Sequence, residues 1–100
     1  MDKIWLQSYP PGVPPEVDLD EFSSLVDLFE QSVRKFAART AYVNMGRSLT
    51  YGELDELSAR FAGWLQGELG LGPGARVALM MPNCLQYPVA MFGVLRAGLT

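Results

Sequence analysis

The chain has 100 residues, 49% of them apolar, with 8 Lys and Arg against 11 Asp and Glu, a net charge of −3, one cysteine and no histidine. That length holds one small domain, and the apolar share supports a packed core rather than disorder. The acidic balance excludes a nucleic-acid surface, the lone Cys84 excludes an internal disulfide, and the missing histidine removes Ser–His and Cys–His catalysis and most zinc chemistry.

Residues 1–22 read as an extended arm. Four prolines fall within Tyr9-Pro10-Pro11-Gly12-Val13-Pro14-Pro15, fixing φ and removing backbone donors, so a polyproline-type path is expected. Such a segment suits a rigid strap on a larger body, anchored by Trp5, Leu6 and Tyr9. The alternative is a ligand for an aromatic groove. Met1–Gln7 lacks the apolar run of a signal peptide, and no stretch approaches the ~20 apolar residues of a membrane span. A cytoplasmic address is therefore expected. Lys3 is the only base in the first thirty residues, so anionic lipid would not attract the arm.

A first helix is expected from Ser23 or Ser24, either of which can cap it, with Asp27 complementing its dipole. Leu25, Leu28, Phe29, Ser32, Val33 and Phe36 recur at helical spacing and form its core stripe. Ala41–Met45 reads as a strand, Gly46-Arg47 as a two-residue turn, and Ser48–Tyr51 as the returning strand. Thr50-Tyr51-Gly52-Glu53 is a capping box. It opens a second helix with Leu54, Leu57, Ser58, Phe61, Ala62 and Leu65 on its inner face. Glu53, Asp55, Glu56 and Arg60 are expected toward water, and Gly70 at the C-cap.

Gly70-Leu71-Gly72-Pro73-Gly74 is glycine-rich but is not a phosphate loop. Phosphate loops follow a strand and open a helix, so that helix N–H groups face the anion. This one follows a helix and opens a strand, and Pro73-Gly74 fits a type II turn. Val77–Met81 is a continuous apolar run, as in a strand buried on both faces of a parallel sheet. Cys84–Ala97 is expected as a helix, apolar nearly all round and hard for so short a chain to cover. Gly98 ends it, and Leu99-Thr100 starts a further strand. On this reading the chain stops where a strand–helix–strand crossover should close, like the front end of a larger α/β enzyme.

Chemistry-bearing residues are sparse. Asp18/Asp20 and Asp55/Glu56 lack partners for acid–base work and read as solvated. Cys84 at a helix start is either a small apolar residue or a thiol made reactive by the helix N-terminus. Asn83 is expected to hold its loop through side-chain hydrogen bonds, and Arg47 to be exposed on the hairpin tip.

Leu49-Thr50-Tyr51-Gly52-Glu53-Leu54, Ala62-Gly63-Trp64-Leu65, Gly72-Pro73-Gly74-Ala75-Arg76-Val77-Ala78, Pro82-Asn83 and Leu95-Arg96-Ala97-Gly98 occur in that order. Together they resemble the N-terminal region of the adenylate-forming superfamily, which includes acyl-CoA synthetases, luciferases and peptide-synthetase adenylation domains. Trp5 with Tyr9-Pro10, Gly12-Val13-Pro14 and Glu16-Val17, and the stretch Asn83–Gly98, are similar to the long-chain fatty acid–CoA ligase branch. An aryl-CoA ligase or an adenylation domain is the nearest competitor. The resemblance implies an α/β fold in which residues 23–100 form the N-terminal part of the AMP-binding domain, stopping before the ATP phosphate loop. It implies a full enzyme using ATP, Mg²⁺ and CoA to turn a fatty acid into its acyl-CoA through an acyl-adenylate. It carries over no catalytic, cofactor-binding or metal-ligating residue, so this stretch is expected to be an inactive scaffold. Alone it should self-associate, through the unpaired edge of Val77–Met81 and the apolar third helix. The contrasting reading is a stand-alone protein-interaction module.

Overall fold

A computed structural model describes all 100 residues. Three helices and one hairpin carry the fold: α1 (Leu25–Phe36), β1 (Thr40–Asn44), β2 (Arg47–Thr50), α2 (Tyr51–Gly67) and α3 (Gln86–Arg96). Ser24 is the N-cap of α1, its Oγ accepting the Asp27 N–H at 3.0 Å, while Asp27 Oδ2 accepts the Ser23 N–H at 3.1 Å. Of the expected stripe on α1, only Phe29 and Val33 are buried; Leu25 and Leu28 stay exposed.

The hairpin turn sits one residue earlier than expected. Met45 and Gly46 both adopt positive φ, at 49° and 76°, the signature of a type I′ turn. Asn44 pairs with Arg47, so Arg47 opens β2 instead of forming the tip. In this register Leu49 faces Tyr42 and is buried. A turn at Gly46-Arg47 would set Leu49 opposite Asn44 and take the Asn44 side chain from its partner, the Asn83 carbonyl.

The capping box forms as expected: the Glu53 N–H donates to Thr50 Oγ1 at 3.1 Å, and the Thr50 N–H donates to Glu53 Oε2 at 2.8 Å. Leu54, Ser58, Ala62 and Leu65 are the buried positions of α2. Leu57, expected inside, is 41% exposed. After the helix, Gly70 takes a left-handed φ of 62° and the Leu71 N–H bonds back to the Leu65 carbonyl. Pro73-Gly74 makes the type II turn, with Gly74 at φ 80° and the Ala75 N–H on the Gly72 carbonyl at 3.1 Å.

Val77–Met81 departs from the expected buried strand. The segment alternates instead: Val77 and Leu79 pack inward, while Arg76, Ala78 and Met80 face outward. Met80 is 96% exposed because no layer within these 100 residues lies over that face. The start of the crossover does close. The Thr100 N–H donates to the Ala75 carbonyl and the Val77 N–H to the Thr100 carbonyl, a parallel bonding pattern.

The third helix is shorter than the expected Cys84–Ala97, with Leu85 as its N-cap. It is also better covered than expected: Gln86 is its only exposed residue, because α2 and α1 pack against it. Gly93 permits the closest approach to α2. A Cβ there would lie 3.1 Å from the Ser58 carbonyl oxygen and 2.7 Å from Phe61 Cδ1.

The core divides in two. Phe29, Val33, Leu49 and Leu54 form one cluster under α1 and the hairpin. Ala62, Leu65, Val94, Ala97 and Leu99 form the other beside the crossover. Residues 1–22 carry a short 3₁₀ turn at Ile4–Ser8 rather than a wholly extended path, and none of them is buried. Trp5 and Tyr9 keep 47% and 41% of their surface, and Leu6 is half-buried. The arm lengthens the molecule: its radius of gyration is 16.8 Å, against about 13 Å for a compact chain of this size.

Candidate functional site

Two clefts and one polar knot are the features from which a site could be built. The apolar cleft, 350 Å³, lies between α1, the hairpin and α3. Leu28, Phe29, Tyr42, Met91 and Leu95 are among its walls, and Ser32 is the only residue there outside the hydrophobic class. The Ser32 hydroxyl is committed to the Leu28 carbonyl at 2.8 Å. Phe29 stacks on Phe92 with centroids 4.2 Å apart, which fixes the cleft floor. This cleft offers shape and apolar surface, and the phenols of Tyr42 and Tyr51 are the polar groups on its wall that the fold leaves uncommitted.

A second cleft, 220 Å³, contains Asn44, Asn83, Cys84 and Tyr87. Asn83 does hold its loop, though through its backbone: its carbonyl accepts from Asn44 Nδ2 at 3.2 Å, where a side-chain bond was expected. Cys84 lies one residue before the N-cap of α3 and is half-buried. Its carbonyl accepts the Tyr87 N–H at 3.0 Å.

The polar knot corrects the reading of Asp55 as solvated. Three oxygens gather around Arg96 Nη1: Asp55 Oδ1 at 2.8 Å, the Asp55 carbonyl at 2.9 Å and Ser58 Oγ at 3.0 Å. The Arg96 guanidinium also lies 5.5 Å from the centre of the Phe29 ring, within range of a cation–π attraction. One side chain on α3 thereby ties α2 and α1 together. Ser58 is completely buried, and its hydroxyl donates to the Asp55 carbonyl. Glu56 pairs with Arg60 on the exposed face, and Asp18 Oδ1 caps the Asp20 N–H locally at 2.9 Å.

Two carboxylates are held below their ordinary range, both at helix starts. For Glu53 the main cause is the Thr50 backbone N–H, then the Thr50 hydroxyl. For Asp27 it is the Gln31 side-chain amide, then the Ser23 N–H. These are capping carboxylates, stabilised as anions by donors. No three Cys, Asp or Glu side chains gather as a metal site, and every buried side-chain nitrogen and oxygen has a partner. Asp55, Ser58 and Arg96 hold helices together, and Glu53 and Asp27 cap them. Sequence reading missed the Asp55–Arg96 and Asn44–Asn83 links because their partners lie 41 and 39 residues apart.

The helical scaffold, its hairpin and the opening of a parallel crossover define an α/β unit of the kind found in adenylate-forming enzymes. The fold matches a benzoate CoA ligase from Burkholderia xenovorans LB400 with a TM-score of 0.68 and 38% identity, over 74% of this chain and 15% of that one. The chain belongs to the AMP-binding enzyme family, whose model matches residues 29–100. It is 58% identical over 99 residues to a long-chain-fatty-acid–CoA ligase of Escherichia coli O6:H1, and 54% identical over 99 residues to one of Yersinia pestis. Each alignment covers 99% of this chain and 18% of the relative. The chain thus spans under a fifth of the length of these relatives. No helix is long and apolar enough to cross a membrane.

Proposed function

We propose that this chain is the opening scaffold of a long-chain fatty acid–CoA ligase. In that enzyme a fatty acid and ATP form an acyl-adenylate and pyrophosphate, and CoA then takes the acyl group and releases AMP. The observation that carries this reading is the 58% identity to the Escherichia coli ligase, sustained over 99 residues. Residues 1–22 are the arm, and 23–100 the first part of the AMP-binding domain. ATP, Mg²⁺ and CoA are handled by parts of the enzyme outside this stretch, which is inactive alone. Phosphate chemistry needs preorganised donors and a metal, and the polar side chains that gather here, Asp55, Ser58 and Arg96, are committed to one another as a helix tie. Use of ATP and CoA supports a cytoplasmic address for the enzyme, with contact at the inner face of the membrane as the route to its fatty acid.

The test is ATP-dependent acyl-CoA formation by the protein that carries this chain, assayed across fatty acid lengths, benzoate and amino acids. Turnover highest with long-chain fatty acids supports the proposal. Turnover confined to benzoate or an amino acid overturns it in favour of an aryl-CoA ligase or an adenylation domain. The 100-residue chain assayed alone should give no turnover. It should also self-associate, since residues 78–81 make no backbone–backbone hydrogen bonds and Met80 stands fully outward. Light scattering that shows a monomer at every concentration would refute that second expectation.

A further inference from the structure

We draw no further inference here: the strongest candidate, the apolar cleft between α1, the hairpin and α3, is an unpartnered face, and nothing in the structure shows what covers it.

Discussion

Placing alanine at Gly93 and, separately, at Gly63 tests the α2–α3 packing directly. Both glycines are helical, so each substitution gains about the same helix propensity, roughly 0.8–1 kcal/mol. Their surroundings differ. A Cβ at Gly63 meets nothing within 4 Å. A Cβ at Gly93 falls 2.7 Å from Phe61 Cδ1, 3.1 Å from the Ser58 carbonyl oxygen and 3.2 Å from Phe61 Cβ. The Phe61 ring can turn, because it stacks on a half-exposed Trp64. The Ser58 oxygen and Phe61 Cβ belong to α2 itself, so relief there moves one helix away from the other. Overpacking of that kind costs about 1–3 kcal/mol. Since propensity cancels between the two variants, Gly93→Ala should be about 1–3 kcal/mol less stable than Gly63→Ala. For a chain of this size each kcal/mol shifts Tm by about 4–8 °C. Urea unfolding followed by far-UV circular dichroism and tryptophan fluorescence gives both values. Equal stability of the two variants, or a more stable Gly93→Ala, would refute the close approach of α2 and α3.

Arg96→Ala removes an ion pair, two further hydrogen bonds and a cation–π contact, and should cost about 2–3 kcal/mol. Asp55→Asn keeps the backbone carbonyl and should cost about 1 kcal/mol or less; the reverse order in urea melts would refute the knot. Met45→Asn should raise stability by about 0.5–1 kcal/mol, because asparagine tolerates the left-handed first position of a type I′ turn better than methionine; a lower urea midpoint would contradict the turn assignment. Thr50→Ala should cost about 1 kcal/mol through the lost cap, read in the same melts. Glu53 and Asp27 have folded-state pKa values below their ordinary ones. Their contribution is therefore complete above the unfolded-state values, about pH 4, and is lost as pH falls through the folded ones. Glu53→Gln with Asp27→Asn should flatten the acid limb of a stability profile from pH 7 to 3, and an unchanged limb would count against the capping geometry.

What was legible in the sequence was local. The Thr50–Glu53 box, the Ser24 cap and the Pro73-Gly74 turn each depend on residues at most three apart, so spacing alone exposes them. The hairpin itself was legible but its turn was displaced by one residue, because Gly46 can serve either central position and only the partners of Leu49 and Asn44 decide between them. Arg96 reads as one member of a helix-end motif. Its role became visible only when α3 lay across α2 and α1. Val77–Met81 looked like a doubly buried strand because the run is uniformly apolar, whereas burial requires a layer that this stretch does not contain. The long-range links of the candidate site left no periodic trace, since side chains 39 or 41 residues apart share no spacing rule.

The divided core has a consequence for how the chain opens. Leu54 and Phe92 belong with the cluster under α1 and the hairpin, while Ala62, Leu65 and Val94 belong with the one beside the crossover. α2 and α3 therefore form a spine shared by both halves, and each remaining part has only one half to hold it. α1 with the hairpin can open without disturbing the Leu65–Val94 side, and the crossover can fray without loosening Phe29. Amide exchange in such a molecule runs as separate local events, with the slowest protons along the middle of the spine and two faster families on either flank.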